Sequence, residues 1–485
     1  MTLTTSGIRC RAYPDVTLQE TLPRWIGSQR GIYNAKVNED RYFRAFSNKF
    51  WVPKEEPRPL DQQYAQFKNK ELTPWLYEVP SQVLRNGAYR WMNAKQRQLK
   101  GLAQAPRIRK RHDFDSVLLT SELFRFVPWT DKQTGEIKHD IEIGTAKNPL
   151  GKIRFFAKAP YVVPSMLVVR RTGSGKWYVS FSFEKTSDVI LRTPAELAYE
   201  LNLLSDEALS QASIALDRNA KANRLADSDG GFYDFKEVEK HRMDRKAVQR
   251  KRYQRKMARQ VRGSKNREKT KRKLATLSQY CVAVRTNFAH QTSHDLVAGP
   301  HQLFIFEALQ VKNMTKSPKA KQDEKGQWLP NGARAKAGLN AAILGSAWGK
   351  TLQYTKYKAI GRSKLVITVP AAYSSQECCQ CGHTHPDNRD AQRFVCQRCG
   401  VELHADSNAA RVQKRRGIAQ LRNGTAVPNK PKKRIAFRRK ENTRGRQPRS
   451  VCGAEVRPAE LITSLATSVE AESLIRKDGN PPLGA

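Results

Sequence analysis

SSQECCQCGHTHPDNRDAQRFVCQRCGVELHADSNAA occupies residues 374–410 and contains two Cys-x-x-Cys pairs, Cys378/Cys381 and Cys396/Cys399. A glycine directly follows each pair and eases a tight turn of the backbone behind a bound metal. Four thiolates in two such pairs are the ligand set of a tetrahedral structural zinc site. The alternatives are four ordinary buried cysteines or two disulfides, and the paired spacing favours zinc.

The segment that follows the second cysteine pair, HADSNAA at 404–410, is typical of a helix start with one acid, Asp406, in its first turn. Aspartate is a favoured N-cap residue, so a purely structural role is the alternative. On this segment alone, the two interpretations remain open.

The bulk composition indicates a large protein with a polyanionic partner. The chain has 485 residues, 88 Lys+Arg and 45 Asp+Glu, which gives a formal net charge of +43. The length suits about two to four domains, and a charge excess of this size favours nucleic acid. No apolar run reaches the length of a membrane-spanning helix. The N-terminal residues lack the apolar core of a signal peptide, and the cysteine usage suits a reducing compartment, so we expect an intracellular protein.

The N-terminal part of the chain alternates between helical and strand patterns. A short basic strand is predicted at 8–13, followed by helices at 17–50 and 60–105 and a basic linker at 106–113. Residues 115–185 then show the period-two alternation of strands separated by Gly/Pro/Asp turns. Within them, TGSGKW lacks the upstream glycine of a phosphate loop and joins two strands, so we interpret it as a hairpin turn. Residues 186–210 are predicted as a connector with one short helix.

Two apolar strands in the second half each end in a single carboxylate. SIALD ends at Asp217 and HQLFIFE ends at Glu307. Each acid, taken alone, is equally consistent with the ordinary end of a strand. Between them, residues 236–294 form a densely basic helical pattern without acidic alternation, which favours contact with phosphates. A loop at 312–337, one helix carrying Leu344, Trp348 and Leu352 at four-residue spacing, and a strand at 363–369 complete the pattern.

Asp217, Glu307 and Asp406 are therefore predicted at two strand ends and one helix start. A buried cluster of acids is costly unless cations neutralise it. Two Mg²⁺ ions about 4 Å apart would do so and would support phosphodiester cleavage. Ligand sets of oxygen alone favour Mg²⁺ or Mn²⁺ over zinc. The ordered trio, with the cysteine pairs inserted before its third member, predicts a metal-dependent nuclease site.

The ordered motifs IALDRNAK, FIFEALQVKNM, SSQECCQCG, FVCQRCG and HADSNAA resemble those of the TnpB and compact type V CRISPR effector family. RAYP near the start and PWLYEVPSQVL at 74–84 extend the resemblance upstream, so that it covers roughly residues 8–415. The resemblance implies a RuvC-like RNA-guided DNA endonuclease with an inserted zinc ribbon. Its implied cofactors are two Mg²⁺ (or Mn²⁺) ions and one structural Zn²⁺; its implied partners are a guide RNA and target double-stranded DNA beside a short adjacent motif.

The family's fold is α+β and multidomain, with an RNase H-like nuclease domain of the RuvC type, a β-barrel wedge domain and a helical recognition lobe. The implied domain ranges are the wedge barrel at 1–15 and 112–190, the recognition lobe at 16–111, a linker at 191–210, the nuclease domain at 211–370 and 403–418, the zinc-ribbon insert at 371–402, and a basic, partly disordered tail at 419–485.

The family's functional residues transfer to matching positions of this chain. Its catalytic, metal-binding carboxylates correspond to Asp217, Glu307 and Asp406, and its zinc ligands correspond to the four cysteines named above. The resemblance also places one part of the recognition lobe, the helix after Trp75 and Leu76, beside the DNA next to the target. Its polar side chains are Ser81, Gln82 and Arg85, which either read bases or contact only phosphates. A prokaryotic, cytoplasmic, nucleoid-associated protein is implied.

Two positions depart from the family pattern. Asn219 stands where the family usually has glycine, and Ala308 where it usually has aspartate. Both positions border the predicted metals, so efficient cleavage is less firmly implied than metal binding. The alternatives are an RNA-guided DNA binder that silences transcription with little or no cutting, a zinc-ribbon protein of ribosomes or RNA packaging, and a transposase that acts without RNA.

Overall fold

The computed structural model describes residues 2–49, 60–111, 115–131, 133, 135–145, 147–157, 159–187, 191–219 and 224–425. The chain divides into an N-terminal unit, Thr4–Lys185, and a C-terminal unit, Thr186–Pro431, with which Met1–Leu3 are grouped. The predicted tail lies outside the described residues from 426 onward. Across the described part of the chain, no helix is both long and apolar enough to cross a membrane.

The described part of the N-terminal unit combines long helices with a sheet. Its elements are β1 (Thr2–Pro14), α1 (Val16–Lys49), α2 (Ser81–Leu99), β2 (Ser116–Thr120), β3 (Phe124–Thr130), β4 (Ile137–Thr145), β5 (Asn148–Phe155), β6 (Met166–Arg171) and β7 (Trp177–Ser187). The strands form one sheet in the order β2-β6-β7-β1-β5-β4-β3. The period-two pattern is confirmed, and the glycine of the β6–β7 turn, Gly175, has a φ of +83°.

The prediction of one helix over 60–105 is wrong for residues 60–80, nearly half of that range. Residues 65–67 and 74–76 form short 3₁₀ turns, and the α-helix begins only at Ser81. Pro74 and Pro80 explain the difference, because proline fixes φ and lacks the N–H that a helix interior needs. Helix α2 packs closely on α1 at Gly87, where a Cβ would lie 2.7 Å from the carbonyl oxygen of Gln29.

The C-terminal unit is built around a second, mixed sheet. Its described elements are α3 (Pro194–Asn202), α4 (Asp206–Gln211), β8 (Ser213–Asn219), β9 (Arg224–Asp227), β10 (Phe232–Tyr233), α5 (Glu237–Arg259), α6 (Lys265–Ala298), β11 (Leu303–Glu307), α7 (Val311–Met314), β12 (Lys321–Gln322), β13 (Trp328–Leu329), α8 (Ala333–Gly345), α9 (Trp348–Ile360), β14 (Leu365–Val369), β15 (Arg389–Asp390), β16 (Arg393–Val395), β17 (Glu402–His404) and α10 (Ala405–Arg422).

The main sheet of this unit has the order β10-β9-β8-β11-β14. Strands β8, β11 and β14 run parallel, whereas β9 pairs antiparallel with both β8 and β10. Every residue of β11 is buried, as expected for a central strand covered on both faces. One face packs against α10, whose Gly417 permits the approach: a Cβ there would lie 2.5 Å from Ile305.

One prediction in this unit is incomplete and one is wrong. Residues 191–210, predicted as a linker with one short helix, form two helices, α3 and α4, whose Leu197, Leu201 and Leu209 are buried in one core with β8, β11 and β14. The single helix predicted through Leu344 and Trp348 is broken, because residue 347 lies between α8 and α9 with a left-handed φ of 57°. Leu344 is consequently exposed, while Trp348 is buried.

Candidate active site

Asp217 and Glu307 lie side by side at the carboxyl end of the main sheet. Leu216 pairs with Phe306 in the parallel β8–β11 register, so the next residue along each strand is one of the two acids. Side chains at equivalent positions of neighbouring parallel strands project to the same face. Both residues are 7% exposed. The strand register therefore brings together two carboxyls that are 90 positions apart in the chain.

Asp406 joins the site from the first turn of α10, which packs against β8. It is 1% exposed. The N-cap of this helix is His404, whose Nδ1 accepts the backbone N–H of Asp406 at 3.2 Å. The alternative interpretation of Asp406 as the capping residue is therefore wrong, and its carboxylate is available for another role.

Electrostatics show that the three carboxyls influence one another. Burial raises the pKa of Asp217 well above its ordinary value, and the neighbouring charge of Asp406 raises it further. Burial also raises the pKa of Glu307, with the charge of Asp217 as the second cause. Desolvation and like-charge proximity both favour the protonated form of a carboxyl. A cation bound among these groups would displace those protons and remove the repulsion.

Side chains that sequence reasoning missed hold the first two acids. Gln413, on α10, donates from Nε2 to Asp217 Oδ1 at 2.8 Å, and Ser374 donates from Oγ to Glu307 Oε1 at 3.2 Å. The motifs around the two residues were recognised, but their hydrogen bonds depend on the packing of α10 and of the turn after β14.

Asp406 has partners on both of its oxygens. Arg389, from the cysteine-rich insert, donates to Oδ1 at 3.3 Å, and Asn219 donates from Nδ2 to Oδ2 at 2.8 Å. Asn219, which departs from the family pattern, therefore contacts one of the three acids directly. Ala308, the other departure, continues the sheet through a backbone N–H that donates to Val369 O at 2.8 Å. Sequence reasoning did not single out Arg389.

The donor chemistry of the acidic site fits hard divalent cations, because the three acids offer oxygen ligands only. In addition, the buried Oε1 of Gln413 lacks a hydrogen-bond partner among the described residues. These features fit Mg²⁺ or Mn²⁺ held by the acids.

The four cysteines of the insert converge as predicted. Their sulfurs all lie within 4.8 Å of one another, with Cys378 Sγ 3.7 Å from Cys399 Sγ and Cys381 Sγ 3.5 Å from Cys396 Sγ. A Zn–S bond of about 2.3 Å in a tetrahedron implies sulfurs about 3.8 Å apart. A disulfide would need about 2.05 Å, so the disulfide alternative is wrong. The cluster could hold one structural zinc ion.

Helix α10 anchors the cysteine-rich insert. Asn408 accepts the N–H of Cys379 at 3.0 Å and donates from Nδ2 to Glu377 O at 2.8 Å. The carboxylate of Glu377 also pairs with Arg415 and Arg416. Asn408 lies two residues after Asp406, so the same turn of helix supports the insert and carries one of the acids.

The predicted DNA-reading residues lie in the first turn of α2, in the N-terminal unit. Ser81 is exposed, and its Oγ donates to Gln82 Oε1 at 3.3 Å. Arg85 is 43% exposed and pairs with Glu122 at 2.7 Å.

Two family models match the two parts of the chain that contribute the three acids. A family model described as "Probable transposase" matches residues 211–318, which include Asp217 and Glu307. A second model, described as "Cas12f1-like, TNB domain", matches residues 348–412, which include the four cysteines and Asp406.

Two curated proteins and one solved structure also match the chain. The chain is 28% identical over 406 residues to InsQ of Escherichia coli (strain K12), provisionally named as an RNA-guided DNA endonuclease; the match covers 83% of this chain and 90% of InsQ. It is 45% identical over 56 residues to the CRISPR-associated endodeoxyribonuclease Cas12f1 of Sulfoacidibacillus thermotolerans, or 11% of this chain and 13% of that protein. The solved Cas12f1-sgRNA-target DNA complex covers 85% of this chain and 99% of its own, at 11% identity and a TM-score of 0.40.

The two family models and the match to InsQ confirm the family resemblance predicted from the motifs. The chain is related to the TnpB proteins and the compact type V CRISPR effectors.

Proposed function

We propose that this protein is an RNA-guided DNA endonuclease that cuts double-stranded DNA next to a short adjacent motif, with Asp217, Glu307 and Asp406 as its catalytic, metal-binding carboxylates. The observation that carries the proposal is the convergence of these three buried acids, from two parallel strands and one helix, at the carboxyl end of the central strands of the main sheet. The names of its relatives support RNA guidance and DNA as the substrate.

The sheet topology supports a RuvC-type, RNase H-like nuclease domain. An antiparallel three-stranded meander, β8 to β10, is extended on the β8 side by the parallel strands β11 and β14. In this arrangement the first strand is central, and its carboxyl end meets that of β11. We assign the nuclease domain to 211–370 and 403–418, extended by α3 and α4 and by the end of α10 at Arg422, and the zinc-ribbon insert to 371–402. The wedge barrel at 1–15 and 112–190 and the recognition lobe at 16–111 remain part of the proposal.

Mg²⁺ or Mn²⁺, when bound by the three acids, would supply Lewis-acid activation of a water molecule and stabilisation of the leaving oxygen. The protein's own residues orient the ligands. Gln413 fixes the Asp217 carboxylate, and Ser374 fixes that of Glu307. Arg389 offsets part of the acidic charge from the Asp406 side and is suited to hold a phosphate oxygen. Buried partners of this kind keep the ligands in one geometry before the substrate arrives.

The basic helices α5 and α6 support a nucleic-acid partner. Helix α5 buries no side chain, and its sequence carries Lys or Arg at most turns. An exposed helix with this composition gains little from core packing, whereas it neutralises phosphates along its length. We propose that these helices bind the backbone of the guide RNA or of its hybrid with DNA.

A plasmid nicking assay with Mg²⁺ tests the proposed function. The protein purified with its co-purifying RNA should cut a plasmid that carries a sequence complementary to the guide segment of that RNA. EDTA should prevent the cut. Guide-dependent binding without any nicking would instead favour the transcriptional silencer. Absence of a discrete co-purifying RNA would favour a transposase that acts without RNA.

Replacing Asn219 with glycine, the usual family residue, should tighten metal binding. The Asn219 amide occupies an oxygen of Asp406 that a metal would use, and a hydrogen bond to a charged group is worth about 1.5–3 kcal/mol. We therefore expect the Mg²⁺ concentration for half-maximal cleavage, and the Mn²⁺ dissociation constant from calorimetry, to fall roughly tenfold. Asn219→Ala also removes the amide, without the added backbone freedom of glycine, and should tighten metal binding to a similar extent. Unchanged metal affinity in both variants would contradict competition by the amide.

Arg85→Ala tests whether the first turn of α2 reads DNA. Arginine is suited to guanine, so loss of its guanidinium should alter which adjacent motifs permit cleavage, by roughly 1–3 kcal/mol at one position. A cleavage library with randomised flanks measures this preference. Glu122→Ala removes the ion-pair partner of Arg85 and the acceptor of Thr120 but leaves the Arg85 guanidinium in place, so it should retain the wild-type motif. Identical sequence preferences for wild type and Arg85→Ala, with uniformly weaker binding, would assign the residue to phosphate contact.

A further inference from the structure

Tyr373 combines two unusual properties. Its backbone φ is 60°, in the left-handed region, and its side chain is 70% exposed. A bulky, non-glycine residue in this region is an outlier and carries a real conformational cost. Such conformations persist only where the surrounding structure enforces them, and they concentrate at functional sites. An exposed ring, moreover, gains nothing from core packing that would offset the cost.

The surrounding hydrogen bonds enforce this conformation from both sides. Arg416 donates through Nη1 to Pro370 O and to Ala372 O, each at 2.9 Å. On the C-terminal side, the carbonyl oxygen of Tyr373 accepts the N–H groups of Gln376 at 2.9 Å and Glu377 at 3.0 Å. The backbone of Tyr373 is therefore fixed by a network that also anchors the cysteine-rich insert.

The same network places Tyr373 next to the candidate active site. Ser374, the following residue, bonds Glu307 Oε1 at 3.2 Å and Ala371 O at 3.2 Å. Consecutive Cα atoms are about 3.8 Å apart, so the exposed ring emerges from the turn that holds one of the acids. The basic side chains of Arg416 and Arg389 also contact this part of the unit, through Glu377 and Asp406 respectively. Basic groups beside an exposed aromatic ring are the combination that binds unpaired nucleic acid.

The depth of the acids gives a reason for a stacking residue. Because Asp217, Glu307 and Asp406 are 7%, 7% and 1% exposed, a phosphodiester reaches them more readily on a separated strand than within a paired duplex. Bases near that phosphodiester then lose their stacking partners. A fixed aromatic ring replaces the lost stacking without regard to sequence, because every base has a π-face.

We propose that Tyr373 is a stacking platform for an unpaired nucleobase of the DNA strand held at the candidate active site. This inference rests on the proposed nuclease function. The aromatic ring would make the contact, and the fixed left-handed backbone holds the point from which the ring projects.

Photocrosslinking tests the proposal on the full chain with its co-purifying RNA. The probe is a single-stranded DNA oligonucleotide that carries 5-iodouracil, irradiated in Ca²⁺ so that it is not consumed, with crosslinked peptides identified by mass spectrometry. Tyr373→Phe keeps the ring and should retain the crosslink within about twofold. Tyr373→Asn and Tyr373→Gly tolerate the left-handed backbone but lack the ring, and should lose it by at least about fivefold. Their melting temperatures should equal or exceed that of the wild type, because the strain is relieved.

Tyr199→Asn provides the matched control, since Tyr199 on α3 is similarly exposed, at 68%, and should not affect the crosslink. A wild-type yield in Tyr373→Asn and Tyr373→Gly would overturn the proposal, as would equal loss in Tyr373→Phe. Nuclease activity is measured separately with Asp217→Ala. If that variant loses cleavage while the Tyr373 variants crosslink normally, only this inference fails; if Asp217→Ala still cleaves, the proposed function fails whatever the crosslinking shows.

Discussion

Asp217→Ala is expected to reduce DNA cleavage at least about a thousandfold while RNA binding and guide-dependent DNA binding are retained. Asp217 is the central acid of the three, because the charge of Asp406 raises its pKa and its own charge raises that of Glu307. Loss of its carboxylate should therefore disturb metal binding on both sides. Metal ions supply several kcal/mol of transition-state stabilisation, and about 4 kcal/mol corresponds to a thousandfold in rate.

The rate of plasmid cleavage in Mg²⁺ measures this effect, with guide-dependent DNA binding followed in Ca²⁺. Glu307→Gln, which keeps the shape of the side chain and removes its charge, should show a comparable loss. Asp229→Ala is the matched control and should cleave at the wild-type rate. Asp229 is an acid of the same unit, but it is 42% exposed and pairs with His301 and Lys414. Cleavage at an undiminished rate in Asp217→Ala would contradict the assignment of the three acids.

Cys378→Ser is expected to remove about one zinc ion per chain and to unfold the cysteine-rich insert. Zinc binding contributes about 10–16 kcal/mol to the folding of small structural zinc modules, far more than the remaining contacts of the insert could replace. Because Cys379 and Glu377 bond Asn408, two residues from Asp406, the effect should reach the acidic site. We expect cleavage to fall together with the zinc content.

Elemental analysis of the purified protein measures the zinc, and limited proteolysis reports the folding of the insert. Cys399→Ser should behave in the same way. Cys379→Ser is the matched control, because Cys379 adjoins Cys378 but lies outside the four-sulfur cluster, so this variant should keep its zinc. A wild-type protein without zinc would contradict the structural role of the cluster.

The sequence pattern predicted those features that depend on residues close together in the chain. The strands that end near Asp217 and Glu307, the helix start at Asp406 and the cysteine spacing all follow from alternation, length and ligand chemistry. The structure contains these strands, this helix start and the four-sulfur cluster, whereas the parallel pairing of β8 with β11 was not predicted.

The partners of the acids could not be predicted in the same way. Gln413 and Asn219 each bond an acid from a different element more than 180 positions away, and such contacts depend on tertiary packing. Local pattern also failed where backbone geometry overrides periodicity. The left-handed residue Ala347 breaks a helix that the spacing of Leu344 and Trp348 suggests, and two prolines delay the start of α2.

The central claim is that RNA directs this acidic site to a chosen DNA sequence. The most direct measurement exchanges the guide segment of the co-purifying RNA for an unrelated sequence and then compares cleavage of two plasmids in Mg²⁺, one matched to each guide. We predict that the cut moves to the plasmid matched to the new guide and that Asp217→Ala cuts neither. Continued cutting at the original sequence, or equal cutting of both plasmids, would contradict the claim.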